Sequence, residues 1–144
     1  MNATSEALLQ KLKDLGLPPD DYAIFGSGPM VAHGLKEFDH DIDVIARGPA
    51  WEKAMTLGTV IQAPMRDHVV RLFDNKIEIF DGWKPGEWDK DELIDSAEIF
   101  DGIRYVQLEK CLEHKKRLLR NKDLKDIKLI EEHIDLIESY LKKD

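Results

Sequence analysis

The sequence predicts an α/β (α+β) domain in which short strands alternate with helices and two helices end the chain. Three observations support this fold class. Apolar residues recur at helical spacing near the start of the chain and throughout its last quarter. Short apolar or alternating runs, bounded by Gly, Pro, Asn or Asp, fill the middle. One pair of these runs is joined by Asp101-Gly102, which is typical of a type I′ hairpin turn.

The length and composition suit one globular domain. With 144 residues, of which 42% are hydrophobic and 35% charged, the chain can form a core of its own. We expect a single domain over 1–144, with a core over about 1–106 and C-terminal helices over about 107–144. No apolar run approaches the roughly 20 residues that cross a bilayer, and the N-terminus lacks the form of a secretory signal. We therefore expect a cytoplasmic protein without a membrane partner.

Charge and cysteine content exclude some classes of protein. The net charge of −8 argues against a protein that coats nucleic acid non-specifically. Basic side chains are concentrated in 115–128, which suits either an anionic ligand or a solvated helix surface. The single cysteine, Cys111, excludes an internal disulfide and a cysteine-based zinc site, and we interpret it as a core residue. The histidines show no metal-ligand spacing.

The first part of the chain predicts three helices and two strands. The first helix carries leucines on one stripe and stops at Gly16, after which a Pro- and Asp-rich turn leads into the first strand. Gly48-Pro49 breaks the second strand and starts the third helix. In chain order, the predicted elements span residues 5–15, 22–25, 29 to about 36, 41–46 and 49–58.

The rest of the chain predicts a β-meander, a short helix, a hairpin and two final helices. Asp74-Asn75 is predicted to turn the second strand of the meander into the third. The strands are predicted at 59–63, 67–73, 76–80, 98–100 and 103–106, the short helix at 89–96, and the final helices at about 108–120 and 123–142. The final helices carry two apolar stripes, namely Leu108, Cys111, Leu112 and Leu119, then Leu124, Ile127, Ile130, Ile134, Ile137 and Leu141.

Gly26-Ser27-Gly28 follows the first strand and is predicted to be a binding turn. Glycines permit positive φ and let a ligand approach the backbone. Pro29 suits the first position of a helix, which makes Ser27 or Gly28 the N-cap. The free N–H groups at such a helix start favour a phosphate.

Asp41 and Asp43 are predicted to stand side by side, because side chains two apart in a strand share a face. Their repulsion raises at least one pKa unless a cation lies between them, and oxygen ligands suit Mg²⁺ or Mn²⁺. Glu78 lies between two isoleucines, faces away from them, and is available on the same face as a third carboxylate. The alternative is a strand end whose acids are simply solvated.

With the Gly26-Ser27 turn, the acid pair and Glu78, the chain resembles the nucleotidyltransferase superfamily of DNA polymerase beta, the kanamycin nucleotidyltransferases and the minimal nucleotidyltransferases. The segment Arg120-Asn121-Lys122-Asp123, followed by Asp126, resembles the close of abortive-infection nucleotidyltransferases. The resemblance covers nearly the whole chain. It implies a nucleotidyltransferase-like mixed β-sheet with flanking helices and a C-terminal helical tail.

The resemblance also implies a reaction, in which an NMP group passes from an NTP such as ATP to a hydroxyl acceptor. Asp41 and Asp43 would bind two divalent ions, Mg²⁺ or Mn²⁺. Glu78 would ligate the second ion and help deprotonate the attacking hydroxyl. The acceptor stays open between a protein, an RNA and a small molecule.

Four further residues receive roles from the resemblance. Gly26 and Ser27 would hold the β- and γ-phosphates, and Lys115 and Lys122 would contact phosphate or anchor the helical tail. Lys115 falls among apolar residues on its helix, so snorkelling at the rim of the core is an equal explanation. The tryptophans of loop 82–88 either anchor that loop to the core or stack on a base.

Other functional classes compete with this interpretation. A dinucleotide-binding turn would need a third glycine at Val31, and a phosphate loop of NTPases would need Gly-Lys-Ser/Thr after the turn. The stronger alternative is a catalytically weak or inactive binding module of the same fold, such as an antitoxin-type partner. The chain is too short for a large acceptor-binding domain, so a second copy or a toxin-like partner would complete that site.

Overall fold

The computed structural model describes residues 1–62 and 67–142, where seven strands form one mixed sheet and six α-helices cover its faces. The strands are β1 Tyr22–Ile24, β2 Ile42–Ala46, β3 Val60–Gln62, β4 His68–Leu72, β5 Ile77–Phe80, β6 Glu98–Phe100 and β7 Ile103–Tyr105. The helices are α1 Ala3–Asp14, α2 Gly28–Ala32, α3 Gly48–Leu57, α4 Lys90–Asp95, α5 Leu108–Leu118 and α6 Asn121–Leu141. The predicted α/β class is confirmed.

The sheet has the order β3-β4-β5-β2-β1-β7-β6, so β2 lies at its centre. β2 runs antiparallel to β1 and parallel to β5. The predicted meander and hairpin are both present, because β3, β4 and β5 pair in antiparallel order and β6 pairs with β7. The central position of β2 places its side chains beside those of β1 and β5.

The two-residue period of the strands divides the core into two layers. Val44 of β2 and Ile79 of β5 pack into the layer that contains α1 and α3. Ile45 of β2 packs into the other layer, with α4, α5 and α6. Asp43 and Glu78 alternate with Val44 and Ile79, so they take the second face of the sheet.

The two predicted turns differ in detail. Asp101 and Gly102 have φ of 52° and 77°, which confirms a turn with positive φ at both central residues. Between β4 and β5, Phe73, Asp74 and Asn75 all have positive φ, at 55°, 54° and 66°. The predicted strand 67–73 was therefore too long, because Phe73 belongs to the turn.

Most other predicted boundaries differ from the structure by one or a few residues, as three examples show. α1 begins at Ala3 because the Asn2 side chain accepts a hydrogen bond from the Ser5 N–H at 2.8 Å and caps the helix. α2 ends at Ala32 and not at the predicted Lys36. Gly34 has a φ of 75°, which a right-handed helix does not allow. The strand predicted at 59–63 is β3, which covers 60–62. Residue 63 lies outside the described residues.

The apolar stripes of the last two helices were partly wrong. Leu119 ends α5 with a φ of 48° and a side chain 61% exposed, instead of joining the apolar face. On α6, Ile130 is buried, but Leu124, Ile137 and Leu141 are 55%, 39% and 74% exposed. α5 has 11 residues and α6 has 21, so α5 covers only part of the longer helix. None of the helices in the described ranges has the length and apolar composition to span a membrane.

A buried carboxylate holds the junction between α5 and α6. Asp123 is fully buried and accepts hydrogen bonds from the Arg120 backbone N–H at 2.9 Å and from its guanidinium at 2.7 and 3.1 Å. Burial alone would raise the pKa of Asp123, but the hydrogen bonds from Arg120 outweigh it and lower the pKa. Asp126, also buried, accepts from the Lys115 ammonium at 3.0 Å. These acids hold α5 and α6 together.

We expect Asp123→Asn to lower the free energy of unfolding at pH 7 by about 1–3 kcal/mol, because the amide removes the buried charge that Arg120 neutralises. The pKa of Asp123 is lower in the folded protein than its ordinary value of 3.8. Its stabilisation is therefore complete above pH 3.8 and is lost as pH falls through the folded value. Urea unfolding at pH 7 and pH 3 measures both effects.

Asp135→Asn, on the exposed side of α6, is the control for this change. It removes one carboxylate from the same helix without touching a buried partner. Equal unfolding free energies for Asp123→Asn and the wild type at pH 7 would contradict the assigned role of the buried acid.

Candidate functional site

The turn after β1 is shaped by a close contact with β2. Gly26 has a φ of 54°, and a Cβ on it would lie 2.6 Å from the Asp43 Oδ2 atom. Only glycine fits this position without moving the carboxylate. Ser27 is the N-cap of α2, as one of the two predicted alternatives. Its side chain makes no capping hydrogen bond and instead accepts one from Lys115.

Asp41, Asp43 and Glu78 form a cluster, which we call the acid triad. β2 and β5 are parallel, and their register places Asp43 directly beside Glu78. Asp41 immediately precedes β2. One oxygen from each carboxylate lies within 4.8 Å of the others. The predicted convergence of the three acids on one face of the sheet is confirmed.

Two of the three acids of the triad have raised pKa values. Burial, followed by the charges of Asp41 and Glu78, raises the pKa of Asp43 to about 7 against the opposing effect of Lys122 and Lys115. The pKa of Asp41 is also raised, first by burial and then by Glu78. Carboxylate oxygens in this arrangement are the ligands that Mg²⁺ and Mn²⁺ prefer, so the triad could hold a divalent cation.

Arg71 is part of this site although the sequence analysis did not identify it. Its Nε donates to the Glu78 Oε2 at 2.8 Å, and the two residues lie directly opposite each other on β4 and β5. The signal was present in the sequence, because a hairpin that turns at Asp74-Asn75 pairs residues equally distant from the turn. That register brings Arg71 to Glu78.

Lys115 is buried, with only 4% of its surface exposed, so snorkelling at the rim of the core was the wrong explanation. Its ammonium donates to the Ser27 Oγ at 3.2 Å and to the Asp126 Oδ2 at 3.0 Å. Lys36 also approaches Asp126, at 3.3 Å. Lys115 thus connects the turn after β1 with the C-terminal helices.

The basic segment 115–128 divides between the two predicted roles. Lys115, Arg120 and Lys122 line the same cavity as the acid triad. Lys116 instead points to the surface, where its ammonium lies 3.6 Å from Glu131. One part of the segment therefore faces the candidate site, and another part is a solvated helix surface.

One cleft of about 540 Å³ contains the turn and the acid triad. Its volume lies within the range of pockets for small molecules and cofactors. The residues predicted for the site all line this cleft: Gly26, Ser27, Asp41, Asp43, Glu78, Lys115 and Lys122. The structure therefore brings the whole predicted set together.

The two tryptophans of loop 82–88 anchor that loop to the core. Trp83 stacks on Phe25, with ring centroids 4.6 Å apart, and its Nε1 donates to the His114 Nδ1 at 3.3 Å. Burial, followed by the charge of Lys115, lowers the pKa of His114 to about 4, so the ring is a neutral acceptor at pH 7. The Nε1 of Trp88 donates to the Pro85 carbonyl at 2.8 Å.

Comparisons with protein-family models, curated proteins and solved structures find no match to this chain. The resemblance to nucleotidyltransferases therefore stays a prediction, and the site is interpreted from its own geometry. That geometry consists of a glycine turn, three carboxylates and two lysines around one cleft.

We expect Gly26→Ala to weaken Mn²⁺ binding, because the added Cβ would push the Asp43 carboxylate out of the acid triad. Gly34→Ala is the matched control. Gly34 also has a positive φ, of 75°, but a Cβ there would meet no atom within 4 Å. Both changes carry a backbone cost of about 1–2 kcal/mol, and only the first displaces a ligand. Calorimetric Mn²⁺ titration that finds equal affinity in both variants would contradict the expectation.

A second prediction concerns pH. The pKa of Asp43 is about 7 in the folded protein, against an ordinary value of 3.8, so its ionisation opposes folding. In metal-free buffer the wild type should lose stability as pH rises from about 4 to 8, whereas Asp43→Asn should not incur this loss. The Tm advantage of the variant should therefore grow with pH and shrink when Mn²⁺ is added. A pH-independent difference in Tm would contradict this.

Proposed function

We propose that the protein is a metal-dependent nucleotidyltransferase, which moves an NMP group from an NTP to a hydroxyl acceptor. The observation that carries the proposal is the convergence of three carboxylates beside a glycine turn in one cleft. The mixed sheet with helices on both faces is compatible with a nucleotidyltransferase-like fold. The resemblance of the turn, the acids and the C-terminal segment supports the same function.

The acid triad would hold the metal in this proposal. Asp41 and Asp43 are the ligands of two divalent cations, and Glu78 is a ligand of the second. Mg²⁺ or Mn²⁺ would neutralise the triphosphate and lower the pKa of the attacking hydroxyl. The supporting observation is the proximity of three carboxylates, of which the Arg71 guanidinium pairs with Glu78.

The turn and the lysines would hold the triphosphate. Gly26 leaves the backbone open to the cleft, and the Ser27 hydroxyl adds a polar group with the Lys115 ammonium 3.2 Å behind it. Lys122 is exposed at the start of α6 and lines the cleft, so its ammonium is free to approach a phosphate. Two positive charges would therefore flank the leaving pyrophosphate.

In the proposed reaction the acceptor oxygen attacks the α-phosphorus in line with the bond to the β-phosphate. The new oxygen–phosphorus bond forms as the bond to the β-phosphate breaks, and pyrophosphate leaves. The hydroxyl proton passes to a carboxylate of the acid triad, for which Glu78 is the candidate. Positioning and charge neutralisation provide most of the acceleration.

One observation favours the alternative, a catalytically weak or inactive binding module of the same fold. The Arg71 guanidinium already occupies one oxygen of Glu78, at 2.8 Å, and neutralises part of the charge that a metal would neutralise. In such a module the C-terminal helices would contact a partner such as a toxin. The two functions differ in whether an NMP group is transferred to an acceptor.

The test is the pair of changes Asp41→Asn and Asp43→Asn together. We expect the double variant to lose Mn²⁺-dependent binding of ATP, CTP, GTP and UTP, because two of three carboxylate ligands are gone. We also expect it to lose transfer of label from triphosphates radiolabelled at the α-phosphate in the presence of cell lysate. Chelation of divalent metal should have the same effect on the wild type.

The matched control is the double variant Asp135→Asn with Glu138→Gln, which removes two exposed carboxylates from α6. It should bind nucleotide and transfer label like the wild type. Nucleotide binding that survives the loss of Asp41 and Asp43 would refute the proposed function. Metal-dependent binding without any transfer by the wild type would favour the binding module.

A further inference from the structure

We propose that a groove between α1 and the β4–β5 turn, which we call the α1 groove, binds the acceptor of the transfer. We further propose that this acceptor is a serine, threonine or tyrosine side chain on an extended segment of another protein. Both statements rest on the proposed function, since they assign the second substrate of the same site.

The α1 groove adjoins the cleft at the acid triad. It has a volume of about 790 Å³ and lies at the amino ends of β2 and β5. Asp41 and Glu78 line both the groove and the cleft, together with the neighbouring Asp39 and His40. A group bound in the groove therefore reaches two of the three acids from outside the cleft.

The cleft and the α1 groove are lined by partly different residues, which suggests a different substrate for each cavity. Ser27, Asp43 and Lys115 line the cleft, and none of them is among the described residues that line the groove. In-line displacement at phosphorus requires the attacking oxygen and the leaving oxygen to lie on opposite sides of the phosphorus. If the turn holds the leaving pyrophosphate, the attacking hydroxyl must approach from another side of the triad. The α1 groove is an open approach of that kind.

The shape of the groove suits an extended polypeptide. α1 contributes Ala3, Ala7 and Lys11, which lie on successive turns of the helix and span about 12 Å at 1.5 Å per residue. Ala3 and Ala7 are small and exposed, so they let a backbone approach the helix closely. The opposite wall is the turn that contains Asn75, whose side-chain amide can both donate and accept hydrogen bonds.

The charges of the groove argue against a nucleic-acid acceptor. Asp39 and Asp74 balance the ammonium groups of Lys11 and Lys76, and the other two carboxylates, Asp41 and Glu78, are the proposed metal ligands, so the groove has no excess of positive charge. Binding of a single strand relies on a basic groove and on aromatic side chains that stack on bases. The described residues that line the groove include no Phe, Tyr or Trp. A peptide segment without excess negative charge therefore fits better than a polyanion.

The transfer replaces one phosphorus–oxygen bond with another. The hydroxyl oxygen of the acceptor side chain forms a bond to the α-phosphorus while the bond between the α-phosphorus and the β-phosphate oxygen breaks. The hydroxyl proton goes to the Glu78 carboxylate, and pyrophosphate leaves through the cleft. The products are pyrophosphate and a protein whose side chain is joined to NMP by a phosphodiester.

Ala7→Trp tests the proposal, because the indole would fill the groove from an exposed position that does not disturb the core. We expect this variant to bind triphosphate and Mn²⁺ like the wild type in calorimetry. We expect its transfer of α-phosphate label to the proteins of a total cell lysate to fall by at least about tenfold. Gln10→Trp, also exposed on α1 but outside the groove, is the matched control and should transfer normally.

The outcomes separate this proposal from the proposed function. The α1 groove is supported if the label on lysate material resists ribonuclease and disappears on protease treatment. The amount of label must also fall in Ala7→Trp and not in Gln10→Trp. Equal transfer by Ala7→Trp and Gln10→Trp overturns the assignment of the acceptor site to the α1 groove and leaves the proposed function intact. Label that ribonuclease removes overturns the assignment of a protein acceptor. Absence of metal-dependent nucleotide binding by the wild type overturns the proposed function and this inference with it.

Discussion

The parallel pairing of β2 with β5 is the constraint on which the rest of the site depends. Its register puts Asp43 beside Glu78, while Val44 and Ile79 on the same strands pack into the layer of α1 and α3. A slip of one residue would turn these isoleucine and valine side chains to the cleft and bury the acids. The apolar core therefore fixes the position of the acids, and the site is held by packing rather than by its own charges.

The sequence predicted the site better than it predicted the helical tail. The alternation around Glu78 and the spacing of Asp41 and Asp43 are local patterns that the sequence contains, whereas the pairing of β2 with β5 that brings these acids together is not. The exposure of Leu119 depends on where α5 ends, and the exposure of Leu141 depends on how little of α6 the shorter α5 covers. These features are set by tertiary packing, which helical periodicity does not contain.

A chain of buried polar contacts joins the C-terminal helices to the turn. Lys115 lies between Ser27 on one side and Asp126 on the other, and Lys36 adds a second ammonium to Asp126. The sequence indicated that Lys115 could anchor the helical tail. It did not indicate Lys36 as a second partner of Asp126, because Lys36 comes from the loop after α2. A buried lysine needs such partners, since an unpaired charge in the core is costly.

The ion pair between Arg71 and Glu78 gives the acid triad its own counter-ion. Three close carboxylates without a counter-ion would attract a divalent cation whether or not a nucleotide was present. A resident guanidinium competes for one of those oxygens and so weakens the hold on metal alone. Under the proposed function, a triphosphate would offer that guanidinium another anion, and metal and nucleotide would then be captured together rather than one after the other.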